Sequence, residues 1–363
     1  MRRMTRRWAR GLVAAGIAVL VAVGMLGISP AGASTSPAWS LVRSPNAMAQ
    51  QDRLAGVSCP TASSCVAVGQ SVNRAGARVP LVKSWNGRRW TLRRRVPVPV
   101  GARNSALEGV SCASARACIA VEGFISAVGA AVPLAERWNG RSWATQTMPG
   151  AAKFVFSFLN AVSCASASAC TAVGYTTGFD TGSAVPLAET WNGTAWVIQA
   201  TPSAADSGSL AGASCSPAGC TAVGASINHR RGSQVTLAER WNGATWTIQA
   251  TRRNPAGAQN NALAGVSCTS GRKCIAVGSA GLRTLAERWD GTAWTIQPTA
   301  AGVSTLHEMG DPADSQPARH PDQLAAGSVV HLCAGLRRCR LLLQRAHPVD
   351  TGGALLVSGA AAR

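Results

Sequence analysis

The stretch that decides the fold runs Leu159-Asn160-Ala161-Val162-Ser163-Cys164, five residues, Cys170-Thr171-Ala172-Val173-Gly174, a variable loop, and then Leu187-Ala188-Glu189-Thr190-Trp191-Asn192-Gly193-Thr194-Ala195-Trp196-Val197-Ile198-Gln199. The same pattern starts again at Leu54, Leu107, Leu210 and Leu263, so one unit of about fifty residues occurs five times. A period of this size marks an array of stacked or radial units. The paired cysteines are Cys59/Cys65, Cys112/Cys118, Cys164/Cys170, Cys215/Cys220 and Cys268/Cys274. The paired tryptophans are Trp85/Trp90, Trp138/Trp143, Trp191/Trp196, Trp241/Trp246 and Trp289/Trp294.

Each unit reads as two hairpins. A strand-length apolar run ends in Ser-Cys, turns within a few small residues and returns as Cys-x-Ala-Val-Gly. The second hairpin carries Asn-Gly or Asp-Gly, as at Asn192-Gly193 and Asp290-Gly291, between β-rich flanks. These dipeptides suit turns that need positive φ. Four antiparallel strands repeated radially make propeller blades. The expected fold is therefore all-β: a β-propeller of four-stranded antiparallel blades, five complete and a degraded sixth. Helical solenoids are excluded because no 3.6-residue apolar period persists over ten residues.

The repeated residues read first as structure. Small side chains in the first strand suit the crowded centre of a propeller, and the tryptophans of the outer hairpin offer large area for packing between blades. Glu136, Glu189, Glu239 and Glu287 are expected to be structural hydrogen-bond acceptors, and the first copy has Lys83 in their place. Cysteines facing each other across a tight hairpin come near bonding distance, so the ten are expected to form five local disulfides: Cys59–Cys65, Cys112–Cys118, Cys164–Cys170, Cys215–Cys220 and Cys268–Cys274. Zinc would need a second ligand pair nearby, and His229 is the only histidine between residues 34 and 300, so no metal and no cofactor is expected.

The ends differ from the array. Arg2, Arg3, Arg6, Arg7 and Arg10 precede an apolar run from Gly11 to Ile28 that ends at Ala31-Gly32-Ala33. That is the pattern of a secretory signal over residues 1–33 with a small-residue cleavage site, and the site favours cleavage over retention as a membrane anchor. A leader, residues 34–53, holds Trp39-Ser40-Leu41-Val42-Arg43, which matches the last strand of a unit and is expected to close the final blade. Residues 54–299 are the five units. Residues 300–363 lose the pattern, hold four of the five histidines and keep Cys333 and Cys339. Permissible codons moved by one base restore Ser-Cys, a second Cys six residues on, Ala-Val-Gly and Leu-Ala-Glu-Arg, so the tail reads as a frameshifted sixth repeat. As it stands, it is expected not to supply the three strands that would pair with residues 39–43, and to form no equivalent Cys333–Cys339 bridge.

Trp289-Asp290-Gly291-Thr292-Ala293-Trp294 and its W-N-G-x-x-W counterparts resemble the hairpin of Asp-box repeats in sialidase-like propellers. The units as a whole resemble secreted β-propeller repeat proteins of actinobacteria. The likeness covers residues 39–299. It implies architecture and not activity, because Asp-box turns are structural, the Asp-box Ser is absent, the spacing is one residue short and four copies have Asn.

Composition bounds the function. Only 14% of the residues are charged, the net charge is +20, and there are 38 Gly and 18 Pro, which together exclude a disordered polyelectrolyte and a long coiled coil. Residues 34–300 hold 24 Lys+Arg against 10 Asp+Glu, so anionic partners are favoured. No strand-reading motif argues for nucleic acid. The connections from strand two to three and from strand four to the next unit emerge on one face and differ between copies. On them Arg78, Arg103, Tyr175, Asp180, His229, Arg230, Arg231, Arg253 and Arg283 are the candidate ligand contacts. The expected function is a secreted, extracellular or cell-wall-associated monomeric binding module that holds a carbohydrate or protein, with no membrane span after signal cleavage. Two alternatives are a glycoside hydrolase or lyase and a cell-envelope scaffold. For the enzyme, the carboxyls that break the repeat are Asp52, Glu108, Glu122, Asp180 and Asp206, and Tyr175 is a conceivable nucleophile.

Overall fold

The computed structural model describes residues 40–46, 51–93, 96–149, 156–177, 183–202, 206–228, 232–251, 260–299 and 355–357. All belong to the second of two compact units, which begins at Trp39. The signal segment and Asp180, His229, Arg230, Arg231, Arg253, Cys333 and Cys339 lie outside the described residues. The chain is a β-propeller repeat protein. After β1 (Ser40–Val42), blade one comprises β2 (Asp52–Thr61), β3 (Ser64–Val72), β4 (Arg78–Trp85) and β5 (Trp90–Arg93). Blade two comprises β6 (Asn104–Ser114), β7 (Ala117–Ile125), β8 (Ala131–Trp138) and β9 (Trp143–Thr147). Blade three comprises β10 (Phe156–Ser166), β11 (Ala169–Thr177), β12 (Ala184–Trp191) and β13 (Trp196–Gln199). Blade four comprises β14 (Ser207–Ser216), β15 (Gly219–Asn228), β16 (Ser233–Trp241) and β17 (Trp246–Gln249). Blade five comprises β18 (Asn261–Ser270), β19 (Lys273–Ala280), β20 (Arg283–Trp289) and β21 (Trp294–Ile296), and β22 (Leu355–Val357) follows. Within each blade the strands pair antiparallel in chain order, and one parallel bridge, Phe156 to Ala131, ties blade three to blade two.

The first strands of successive blades lie side by side, which places them innermost. Each carries a bulge at the same point, between Leu54 and Gly56, Leu107 and Gly109, Leu159 and Ala161, Leu210 and Gly212, and Leu263 and Gly265. The small residue after the bulge lets neighbours approach: a Cβ on Gly212 would sit 2.8 Å from the Cα of Gly265. The disulfides Cys59–Cys65, Cys112–Cys118, Cys164–Cys170, Cys215–Cys220 and Cys268–Cys274 cross the hairpin of strands one and two. The outer hairpin closes over four residues, as between the paired Trp191 and Trp196. The Asn192 Oδ1 accepts the N–H groups of Thr194 and Ala195 at 2.9 Å, and Gly193 takes the positive φ of 98°. Asp290 does the same work with a carboxylate that the Ala293 N–H and the Thr292 hydroxyl and N–H pull down to about 2.

The core is a series of seams between blades. Ile119, Val121, Ala135 and Met148 of blade two pack on Leu159, Val162, Ala172, Leu187 and Trp196 of blade three, and the other junctions repeat the arrangement. Two recurring hydrogen bonds cross the seams. The Ser58, Ser111, Ser163 and Ser214 hydroxyls accept the N–H of Cys112, Cys164, Cys215 and Cys268 in the next blade at 2.8–3.0 Å. The Trp196, Trp246 and Trp294 indoles donate to Gln146, Gln199 and Gln249 of the blade before. The first tryptophan of each unit, tilted at 40–45° on the second, completes the outer wall. Where blade one has Arg93 and blade two Arg137, the guanidinium covers Trp138 or Trp191 of the next blade.

At the leading edge, β1 lies against blade one. Val42, in the position that Gln holds in blades two to five and Arg93 in blade one, packs against the cluster of Val57, Cys65, Ala67 and Trp90. The tail is not expected to supply a unit's three strands, and among the described residues it supplies one: β1 pairs antiparallel with β22, Ser40 opposite Val357 and Val42 opposite Leu355. Backbone pairing asks only for extended residues, which Leu355-Leu356-Val357 supply without the repeat motif.

Candidate functional site

The seams also bury charge. Glu136, Glu189, Glu239 and Glu287 are fully buried. Each alternates with a leucine, as Glu239 does with Leu237, and that leucine lies in the seam core. The expectation of hydrogen-bond acceptors holds for Glu136, whose Oε1 accepts the Thr145 hydroxyl at 2.7 Å. Glu239 departs from it, since neither carboxyl oxygen has a hydrogen-bond partner. Burial pushes the Glu136 carboxyl up to about 7, against the Thr145 hydroxyl, and that of Glu239 up to about 8. In blade one the same place holds Lys83, buried and 3.8 Å from Asp52, with its ammonium pulled down by burial against the attraction of Asp52.

Blade two breaks the pattern once more. Four units have Gly69, Gly174, Gly224 and Gly278 opposite the leucine of strand one, where a Cβ would run into a strand-one carbonyl oxygen. Blade two has Glu122 there, fully buried. Its Oε2 accepts the Ser105 hydroxyl at 2.6 Å. Burial raises its carboxyl to about 7, with Ser105 opposing and Glu136 adding to the shift. A residue that contradicts the local backbone rule is where a sequence tends to serve something other than the fold.

Ser105 links this carboxyl to a cavity of about 160 Å³ at the end of the blades where strand one begins. Arg78 of blade one, Asn104, Ser105, Glu108 and Gly123 of blade two and Phe158 of blade three line it. Asn104 Oδ1 accepts the Arg78 N–H at 3.0 Å, which ties blade two to blade one here, and within blade two the Arg103 N–H donates to the Ile125 carbonyl at 2.9 Å. Phe158 stacks on Tyr175 with centroids 5.4 Å apart, which fixes the aromatic wall. Glu108 is half-buried, and burial raises its carboxyl against the pull of Arg53 and Arg78.

Of the candidates chosen from sequence, Arg78 lines the cavity, Tyr175 supports its wall and Arg103 adjoins it through Asn104. Arg283 opens β20 in blade five and is exposed, away from these residues. Sequence reasoning missed Phe158 and Ser105. Phe158 was visible as the aromatic where the other units have Arg53, Ala106, Ser209 and Ala262 before the leucine. Among the carboxyls that break the repeat, Glu108 lines the cavity and Glu122 lies behind Ser105.

No family model and no curated protein matches the chain. Among solved structures it is similar to the Hadza microbial sialidase Hz136, with TM-score 0.46 and 12% identity over 66% of this chain and 56% of that one. It is also similar to the WD40 β-propeller domain of Doa1, with TM-score 0.43 and 13% identity over 74% of each chain. A third is the fucose-specific lectin from Aleuria aurantia, with TM-score 0.42 and 10% identity over 67% of this chain and 77% of that one. The likenesses are loose, and the propeller assignment rests on the blades themselves.

Proposed function

We propose that the chain is a secreted, non-catalytic carbohydrate-binding module whose cavity on blades one to three takes a single sugar ring of an extracellular glycan. The observation that carries this reading is the convergence in one small cavity of an aromatic face, Phe158, with Glu108, Ser105, Asn104 and Arg78. Sugar recognition needs an apolar wall for the C–H face of the ring and a few fixed polar groups for its hydroxyls. Ser105 spends its proton on Glu122, so its remaining lone pair and the Glu108 carboxylate accept hydroxyl protons while the Arg78 guanidinium donates. Glu108 beside Arg78 favours a neutral ring over the anionic ligand expected from the net charge.

The cavity is below the roughly 300 Å³ at which drug-sized sites begin, which suits one ring. Five disulfides fit an oxidising, extracellular setting. Glycosidic hydrolysis would use two carboxyls flanking the substrate, and here Glu108 lines the cavity while Glu122 is fully buried behind Ser105, so binding is the better supported role. A glycan array followed by calorimetry on the strongest neutral saccharide tests the reading. Glu108→Gln and Phe158→Ala should each weaken binding by about tenfold or more, in line with losing a charge-assisted hydrogen bond or an aromatic wall. An array blank at low salt, or variants that bind as the parent does, would contradict it.

A further inference from the structure

The opposite end of the blades, where strand one turns into strand two and strand three into strand four, has its own chemistry. Arg88 and Arg89 stand on the outer turn of blade one, Arg141 on that of blade two, and Arg116 on the inner turn of blade two, all exposed. The turns hold them in place: Asn86 Oδ1 accepts the N–H groups of Arg88 and Arg89 at 3.0 Å, and Asn139 Oδ1 that of Arg141 at 2.8 Å. Side-chain carbons of Arg116 lie over Gly140, 3.1 Å from where a Cβ would be, so the inner and outer turns of blade two meet at Arg116 and the residue before Arg141. Arg93 over Trp138 continues the row from blade one to blade two.

No carboxylate of the described residues answers these charges. Among the described residues, the other acids are buried in the seams or placed at the cavity end, and Asp290 in blade five is the only one on a turn at this end. The outer-turn arginines are particular to blades one and two, since the outer turns of blades three, four and five have Thr194-Ala195, Ala244-Thr245 and Thr292-Ala293; on the inner turn blade three has Ser168, while blade five has Arg272 and Lys273 beside Asp290.

We propose that the turn end of blades one and two docks a linear anionic glycopolymer through phosphate or carboxylate groups repeated along its chain. A row of fixed guanidinium groups across adjacent blades matches such spacing, and each planar fork can bind an anionic group through two N–H donors. The pinned turns lower the ordering cost of binding. A lipid surface would call for large apolar side chains on the same tips, and the exposed large hydrophobics of the described residues are elsewhere. This docking surface is independent of the cavity.

The test uses the full chain with polygalacturonate and a glycerol-phosphate polymer as separate probes, and dextran as the uncharged control. Binding to at least one anionic probe should fall roughly 50-fold between 50 and 200 mM salt if about four charges are neutralised at a slope near −0.7 each. Which probe binds assigns phosphate or carboxylate. The variant Arg88→Thr, Arg89→Ala, Arg116→Ser, Arg141→Thr installs blade-three residues, keeps the fold by circular dichroism, and should lose at least tenfold in affinity at 50 mM salt. Arg74→Thr, an exposed arginine in blade one's loop at the other end, should bind as the parent does. Equal affinity of the fourfold variant and the parent, no binding of either probe at 50 mM salt, or tighter binding of duplex DNA than of both probes would overturn the proposal.

Discussion

At the scale of single residues, the chain keeps carboxyl groups where water does not reach them. Glu239 has both oxygens buried without a hydrogen-bond partner and a carboxyl raised to about 8. Its folded form holds a proton that the unfolded chain releases near 4.5. The native state therefore binds more protons between these values, and stability falls as pH rises through them, by up to about 1.4 kcal/mol for each pH unit from one such group. Glu239→Gln keeps the shape and removes the titration. It should melt close to the parent at pH 4 and several degrees above it at pH 9, read by thermal denaturation across pH. A parent that gains stability from pH 5 to 8 with no crossover against the variant would refute the buried-acid account. The sequence displayed these glutamates as a repeat, but a pattern of Leu-Ala-Glu cannot say which face meets the next blade. Glu122 was legible as an exception to glycine, while its pairing with Ser105 depends on a register set by the bulge at Leu107.

At the scale of elements, each blade is joined to the next by a Ser-to-Cys and, from blade two onward, a Gln-to-Trp hydrogen bond. The first blade lacks the second of these: Trp90 Nε1 is buried with no hydrogen-bond partner, and Val42 on β1 stands where Trp196, Trp246 and Trp294 meet Gln. An unmade hydrogen bond at a buried indole costs about 1–3 kcal/mol. Val42→Gln should accordingly stabilise the chain by about 1 kcal/mol, and Gln199→Leu, which orphans Trp246, should cost about 1–3 kcal/mol, both measured by urea denaturation. Opposite signs for the two substitutions are the signature; a destabilising Val42→Gln would place β1 outside the fourth-strand position. Four-stranded blades and their order were legible because hairpin signals recur in every unit. So was the outer turn, since Asn-Gly or Asp-Gly stands between the two tryptophans of every unit; the capping of that loop by the Asn side chain was not, because the dipeptide signals positive φ and not the partners of the side chain. The partner of β1 was illegible because Leu355-Leu356-Val357 carries no motif.

At the scale of the whole molecule, the two ends of the blades divide the chemistry. One end gathers an aromatic face and mixed polar groups in a cavity, and the other carries uncompensated arginines. Equivalent positions in a repeat hold the fold, so function is to be sought where the units disagree: Glu108, Glu122 and Phe158 all depart from their counterparts, and all belong to one neighbourhood. The charge total favoured an anionic ligand but could not assign it to an end. The most direct test of the central claim is hydrogen exchange of the full chain with and without the neutral saccharide that binds best. The account expects slowed exchange at the amides of residues 104–108 and 123–125 and at Phe158, with the turns at residues 86–89 and 139–142 unchanged. Protection confined to those turns, or spread evenly over the five blades, would contradict a saccharide site in the cavity of blades one to three.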